Sequence, residues 1–215
     1  TVIALLGAFF SFAIYAIIIE GASGIIHHQT GVVIHPWQWH PSMLWTPLGM
    51  ILLGGVTRLT ESGLSMVDWR PIMGVMPPLT EAQWLATFAE YQQYPEYQKI
   101  NQGMDLAGFK QIFWFEYLHR VLGRLIGLMY FVPLVIFALR KMIAPQLLPT
   151  LIVLLVLGAA QGLLGWYMVK SGLVEIPHVS QYRLTAHLGL AISIYLYILW
   201  VLFKLCLLYT SPSPR

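Results

Sequence analysis

The chain has 215 residues, of which 58% are hydrophobic and only 10% charged, and its mean hydropathy is +0.69. Because soluble domains carry about 25% charged residues, this composition excludes a soluble globular domain and a disordered chain. The single cysteine, Cys206, excludes an internal disulfide, and the net charge of +3 comes with no basic run that would suggest nucleic acid. We therefore expect an integral membrane protein.

Five apolar stretches are candidates for membrane spans, since a helix needs about 20 apolar residues to cross a bilayer. They cover residues 2–19, 43–56, 112–139, 147–169 and 184–203. The connections between the last three are short, which predicts antiparallel neighbours. We predict an all-α integral membrane protein with an antiparallel four-helix transmembrane bundle over residues 43–204. Residues 1–42 are an uncertain N-terminal segment that offers one extra span.

A polar segment, residues 59–111, lies between the second and third predicted spans and carries six acids and three bases. Thr80 and Gln83 have the spacing of a capping box, which predicts that a helix begins there. An apolar stripe follows at i, i+4 and i+7, formed by Trp84, Phe88 and Tyr91. This pattern predicts an amphipathic loop that lies on the membrane surface.

The third predicted span carries four ionisable side chains within nine residues, namely Glu116, His119, Arg120 and Arg124. A charge at the bilayer centre costs about 2.5–3.5 kcal/mol, so such groups usually face the interior of a bundle and mark function. Spacings of three and four residues put Glu116, His119 and Arg120 on one helix face. The alternative is a structural ion pair accompanied by arginines that extend towards the interface.

A second intramembrane histidine, His187, occurs in the fifth predicted span. At 1.5 Å per residue, His119 lies roughly 10 Å beyond Ile112, where the third span begins, and His187 lies roughly 7–8 Å beyond Tyr182, where the chain re-enters the membrane. The up-down-up order puts both on one side of the membrane, so two imidazoles from different helices converge. This arrangement predicts axial ligation of a haem iron, while hydrogen bonding to a neighbouring helix is the alternative for each histidine.

Arginines near the two histidines are candidates for contacts with haem propionates, because guanidinium groups bind carboxylates in a two-pronged geometry. They are Arg120, Arg124 and Arg183. Contacts with phospholipid headgroups are the alternative for these arginines. Glu116 lies one helical turn from His119, close to the expected edge of the macrocycle.

A di-iron site is a competing interpretation, because Glu116 and His119 have the Glu-x-x-His spacing of such sites. Glu175 and His178 form a second copy of this spacing, but Pro177 lies inside it. The further inward-facing glutamates that a di-iron site needs are missing from the other predicted spans. We therefore favour haem over a di-iron centre.

Two weaker patterns receive structural interpretations. A histidine cluster precedes the second predicted span, at His27, His28, His35 and His40. Prolines interrupt this cluster, so we interpret it as interfacial rather than metal-binding. Small residues in the fourth predicted span are expected to permit close helix packing, at Gly158, Gly162 and Gly165.

Several runs of residues resemble the heme A synthase family. They lie at residues 54–66, 68–72, 77–80, 94–97, 101–104, 109–110, 116–127, 161–173 and 179–184. Together they extend over roughly residues 50–191, too long a stretch for chance agreement. The polar segment 59–111 lacks a cysteine pair, which is similar to the mitochondrial and proteobacterial branch of that family.

This resemblance implies an eight-helix protein made of two similar four-helix bundles, with this chain corresponding to the N-terminal one. It implies oxidation of a ring methyl of haem O to a formyl group, with water as the oxygen source, to make haem a for cytochrome c oxidase. His119 and His187 would then ligate the iron of the substrate haem, and Glu116 would be the catalytic carboxylate. A haem b cofactor would belong to the C-terminal half, so this chain alone is expected to be inactive.

Two other function classes stay open. One is a non-catalytic bis-histidine haem carrier or electron-transfer cytochrome of the membrane, and the other is a structural assembly subunit. The expected partners are haem O, membrane lipid, a haem O synthase (farnesyltransferase), an electron acceptor and a second copy of the chain. We expect no nucleic acid.

The sequence also indicates location and orientation. The short loop opposite the histidines contains Arg140 and Lys141, so the positive-inside rule places the histidine side towards the periplasm or intermembrane space. The expected location is the mitochondrial inner membrane, or alternatively a bacterial cytoplasmic membrane. Residues 205–215 depart from the membrane pattern, and we expect them to be a non-native tail.

Overall fold

The structure is a computed structural model that describes residues 40–67, 76–141, 143, 145–173 and 179–210. Within these ranges the chain forms helices joined by turns and contains no strand. The helices are α1 (His40–Leu59), α2 (Glu81–Tyr91), α3 (Pro95–Lys99), α4 (Leu106–Leu139), α5 (Leu148–Gly172) and α6 (Gln181–Thr210). The predicted all-α class is confirmed. The candidate extra span at residues 2–19 lies outside the described residues.

Three helices are long and apolar enough to cross a membrane, namely α4, α5 and the Gln181–Val201 part of α6. A shorter apolar stretch, Thr46–Leu59, lies in α1. Large apolar side chains on the long helices are more than half exposed, including Leu128, Val156 and Leu196. Such surfaces suit contact with lipid chains, and helices satisfy their own backbone polar groups inside a bilayer. The prediction of an integral membrane helical protein is confirmed.

The helices are longer than the predicted spans. α4 begins at Leu106 rather than at residue 112, and it continues through Pro133 without a break. α6 continues to Thr210, into residues that we expected to belong to a tail. Hydropathy marks only the part of a helix that suits the hydrocarbon core, whereas a helix extends into the interface wherever its residues permit. The proposed limits of the bundle at residues 43 and 204 stay predictions.

The end of α1 turns the chain sharply. Glu61 adopts a left-handed conformation with φ of 51°, and the Ser62 N–H donates to the Thr57 carbonyl at 3.1 Å. The Glu61 N–H donates to the Arg58 carbonyl at 3.3 Å, which completes the pattern of a Schellman motif. We call residues 60–66 the post-α1 turn. Most of it is buried, so its backbone is fixed.

α2 begins as the sequence predicts. Thr80 and Gln83 form the reciprocal hydrogen bonds of a capping box, so this prediction is confirmed. The apolar stripe does not face lipid: Trp84 and Tyr91 are buried, and Tyr91 is 0% exposed. The reason is the early start of α4, which presents buried aromatic rings to α2.

An aromatic cluster joins α2, α3 and the first turns of α4. The Trp84 ring lies 5.0 Å from the Phe113 ring, and the Tyr91 ring lies 5.1 Å from the Phe109 ring. Edge-to-face and tilted aromatic pairs of this kind stabilise beyond the area that they bury. The cluster also includes Met66 from the end of the post-α1 turn. The polar segment is therefore packed onto α4 by its aromatic residues.

The chain divides into two compact units. The first, which we call the histidine unit, comprises Met50–Leu125 and Ala159–Leu190 and contains every predicted site residue. The second comprises Thr1–Gly49, Ile126–Gly158 and Ala191–Arg215. Among its described residues, the Tyr130 hydroxyl of α4 donates to the Leu151 carbonyl of α5 at 2.9 Å.

Candidate functional site

The two intramembrane histidines lie in the histidine unit, on different helices. His119 is on α4 and His187 is on α6, and the two rings are close enough to interact electrostatically. Each ring packs against a glycine of another helix. A Cβ atom at Gly54 on α1 would lie 3.1 Å from His119 Nε2, and one at Gly165 on α5 would lie 3.0 Å from His187 Cε1. Both contacts between helices therefore depend on glycine at these two positions, where any side chain would crowd the histidine ring.

The glycines of α5 do not all serve this packing. A Cβ at Gly158 or Gly162 would meet no atom within 4 Å among the described residues, so the expectation of close packing is wrong for these two. Gly165 alone of the three faces an aromatic ring. Glycine spacing on one helix cannot reveal this difference, because it depends on what the neighbouring helix presents.

Gln161 on α5 holds the backbone and ring of His187. Its Nε2 donates to the His187 carbonyl at 3.0 Å and lies 3.4 Å from His187 Nε2. Gln161 Oε1 and His187 Nδ1 are buried, and neither has a hydrogen-bond partner among the described residues. A buried polar atom without a hydrogen-bond partner lowers the stability of a protein by about 1–3 kcal/mol. These two atoms therefore suit a site in which a bound group that is not part of the chain supplies the missing partner. The residues present therefore fit an imidazole-bound iron.

Glu116 lies one helical turn before His119 and is only 2% exposed. Its Oε1 accepts from Arg120 Nη2 at 2.5 Å, the i,i+4 ion pair that the spacing predicts. Its Oε2 accepts from the Ser65 hydroxyl and from the Met66 N–H, both at 2.7 Å. Three donors therefore converge on one buried carboxyl group, and two of them come from the post-α1 turn.

The three candidate arginines have different surroundings. Arg120 contacts Glu116 and also donates to the Met66 carbonyl at 3.1 Å, in both cases through Nη2. Arg124 lies within electrostatic range of Arg120. The Arg183 guanidinium carbon lies 4.8 Å above the centre of the Tyr167 ring, a cation–π contact. Their contacts with haem propionates stay predictions.

A second buried acid, Glu96 of α3, was not singled out by the sequence. It is 5% exposed, and its Oε2 has no hydrogen-bond partner among the described residues. Burial raises the pKa of Glu96 to about 8, and the negative charges of Glu116 and Glu61 add to this effect. Burial likewise raises the pKa of the neighbouring Tyr91 hydroxyl. Glu96 therefore holds a proton at neutral pH near the carboxylate of Glu116.

Metal sites of other kinds find no support among the described residues, where no group of three or more histidine, cysteine or acidic side chains could hold an ion. The second Glu-x-x-His spacing, at Glu175 and His178, lies outside the described residues. So do His27, His28 and His35, and the side chain of His40 is not described either.

Four residues that contact Glu116 or one of the two histidines are not singled out by the sequence, namely Ser65, Met66, Gln161 and Gly54. Ser65 and Met66 are some 50 residues from Glu116, so no helical spacing links them. Gln161 and Gly54 likewise reach the histidines from other helices. All four lie within the two longest family-like runs, residues 54–66 and 161–173, which is the signal that could have marked them.

Comparisons with known proteins agree on one family. A family model described as cytochrome oxidase assembly protein (COX15-CtaA) matches residues 38–213. The chain is 56% identical to the Heme A synthase of Nitrosospira multiformis over 152 residues, which is 71% of this chain and 43% of that protein. It is 50% identical to the Heme A synthase of Parvibaculum lavamentivorans, over 75% of this chain and 49% of that protein. The chain thus spans about half the length of these relatives. No solved structure matches it.

Proposed function

The chain belongs to the cytochrome oxidase assembly protein family, and from this premise we propose that it forms the haem O-binding half of a heme A synthase. The observation that carries the proposal is the pair of histidines on α4 and α6, whose rings interact electrostatically, with the buried Glu116 one helical turn from His119. Relatives at 50–57% identity named Heme A synthase support it. In this proposal the substrate is a haem whose iron is bound by His119 and His187.

The proposed reaction oxidises a ring methyl group to a formyl group. One methyl and one water become one formyl, and four protons and four electrons leave. The oxidising equivalents for these four electrons would be supplied by a haem b cofactor, which is expected outside this chain, together with a further electron acceptor. Residues of this chain would hold the substrate and take up protons.

Glu116 is the proposed proton acceptor. It is buried, it lies one helical turn from the proposed ligand His119, and it accepts hydrogen bonds at both oxygens. A carboxylate near the reacting carbon can accept a proton or stabilise positive charge that develops there. The Arg120 guanidinium holds the carboxylate in place, and Arg124 and Arg183 are the proposed partners of the haem propionates.

A non-catalytic role is the second candidate. The three donors to Glu116 are also what a purely structural ion pair would show, and this favours a bis-histidine haem carrier or an electron-transfer cytochrome. Both candidates need the histidine pair. They differ in whether the bound haem is chemically changed and in whether that change depends on Glu116.

Haem analysis separates these candidates. We propose to express a full-length protein that carries this chain together with a haem O source, since the relatives are about twice as long. Bound haems O and A are then extracted and separated by chromatography for wild type, Glu116→Ala and a control in a second acid, Glu90→Ala. The catalytic role predicts that wild type and the control contain haem A, and that Glu116→Ala contains haem O alone. Haem A in Glu116→Ala at the wild-type level would refute the catalytic role.

The location and partners are proposals of the same kind. We propose that the protein resides in the mitochondrial inner membrane, with the bacterial cytoplasmic membrane as the alternative. A haem O synthase is the proposed source of the substrate, and a second copy of the chain is a proposed partner. Fractionation of the native membrane, followed by cross-linking and mass spectrometry, tests both points.

A further inference from the structure

The donors to Glu116 come from two directions. Arg120 approaches Oε1 from the same helix, one turn further along α4. The Ser65 hydroxyl and the Met66 N–H approach Oε2 from the post-α1 turn, each at 2.7 Å. Hydrogen bonds to a charged group are stronger than those between neutral groups. The orientation of the carboxyl group is therefore set by the post-α1 turn as well as by the ion pair.

Ser65 is held by its surroundings rather than free to follow Glu116. It is 1% exposed, and the turn before it is fixed by the left-handed Glu61. The neighbouring Leu64 is packed closely under the end of α5, where a Cβ at Gly172 would lie 3.1 Å from Leu64 Cδ2. The hydroxyl is therefore presented to Glu116 from a rigid support.

The Ser65 hydroxyl has a second acceptor within reach. Its Oγ lies 3.0 Å from the Ser62 carbonyl and 2.7 Å from Glu116 Oε2, and a hydroxyl has only one proton to donate. When Glu116 Oε2 receives a proton from elsewhere, the hydroxyl can turn to the Ser62 carbonyl. The hydroxyl proton is hydrogen-bonded in both positions, and once it has turned, the Ser65 oxygen can accept from the new proton on Oε2, so no buried donor is left without a partner.

We propose that Ser65 is a positioning residue for Glu116, which orients its carboxylate towards the substrate and releases Oε2 when that oxygen takes up a proton. This inference rests on the proposed function, in which Glu116 accepts one proton during oxidation of the methyl group. The proton comes from the methyl group or from water, and the Ser65 O–H bond stays intact throughout. Ser65 itself contacts no substrate.

Substitutions of two buried serines in the same turn test this role. Ser65→Ala removes the donor to Glu116, and Ser65→Thr retains a hydroxyl. Ser62→Ala is the matched control, because Ser62 is 0% exposed and donates to the Thr57 carbonyl rather than to Glu116. Each variant is made in the full-length protein and compared for bound haem O, for the rate of haem A formation and for the infrared carboxylate bands that Glu116→Gln removes.

We expect Ser65→Ala to bind haem O as wild type does but to form haem A about ten- to a hundredfold more slowly, as for a lost hydrogen bond to a charged group. Its Glu116 carboxylate band should shift, whereas Ser62→Ala should keep the band and a rate within about twofold of wild type. Ser65→Thr should restore most of the rate. Where Ser65→Ala does not accumulate, Ser65→Cys replaces it, with a weaker donor and an intermediate rate.

Two outcomes overturn the inference. One is an unchanged rate and an unchanged carboxylate band in Ser65→Ala, or in Ser65→Cys where it stands in. The other is an equal loss of rate and of bound haem O in Ser65→Ala and Ser62→Ala, which would show general damage to the turn. Failure of the proposed function looks different, because Glu116→Gln would then form haem A at the wild-type rate whatever Ser65 does.

Discussion

Glu96 should make the stability of the protein depend on pH. Its carboxyl group is 5% exposed, and burial raises its pKa to about 8 from the ordinary 4.5. Between these two values the folded protein keeps the proton and the unfolded chain loses it. The contribution of the protonated Glu96 to the free energy of unfolding is therefore fully present below about pH 4.5. It declines as pH rises and is lost once pH passes about 8.

The size of the effect follows from the same two values. Each pH unit between them changes the free energy of unfolding by about 1.4 kcal/mol, so the whole interval corresponds to roughly 5 kcal/mol. Glu96→Gln removes the ionisable group and keeps a side chain of the same shape next to the Tyr91 hydroxyl. We expect the free energy of unfolding of this variant to depend much less on pH than that of wild type, and to exceed it at pH 8.

Thermal unfolding in detergent, followed by tryptophan fluorescence between pH 5 and 8, measures this difference. Glu81→Gln is the control, because Glu81 is an exposed acid in the first turn of α2. The melting temperature of wild type and of the control should fall together with rising pH, while that of Glu96→Gln stays nearly level. Parallel curves for wild type and Glu96→Gln would refute the reasoning.

Three further substitutions test the fold and the site. Glu61→Gly should raise the free energy of unfolding by about 0.5–1 kcal/mol, since glycine adopts the left-handed conformation without strain; chemical unfolding checks this. Gly165→Ala should lose most of the bound haem, because its Cβ would lie 3.0 Å from His187 Cε1, whereas Gly162→Ala should retain it; the haem-to-protein ratio decides. Phe109→Ala should lower the free energy of unfolding by about 3–5 kcal/mol and expose the aromatic cluster to protease. An undiminished melting temperature would contradict this prediction.

Patterns local in sequence predict the parts of the structure that depend on neighbours along the chain. The capping box at Thr80 and the ion pair between Glu116 and Arg120 are present because both are set by spacings of three or four residues on one helix. The long apolar helices are present because bilayer thickness fixes their length. Their ends were less predictable, since polar residues such as Lys110 are tolerated where a helix leaves the hydrocarbon core.

Contacts between segments that are distant in sequence could not be predicted from these local spacings. The Ser65 hydroxyl meets Glu116 only because Glu61 reverses the chain after α1, and a glutamate carries no signal for a left-handed conformation. The stripe of α2 is amphipathic in sequence, but whether its rings meet lipid or protein depends on where α4 begins. The raised pKa of Glu96 depends on burial, which a five-residue helix gives no reason to expect.

Axial ligation of one haem iron by His119 and His187 is the point on which the proposed function depends most. The direct measurement is electron paramagnetic resonance, with near-infrared magnetic circular dichroism, of the ferric protein loaded with haem O. Wild type should show a low-spin iron with two imidazole ligands, and His119→Ala and His187→Ala should each lose that signature. A bis-imidazole spectrum that persists in either variant would contradict the assignment of this histidine pair.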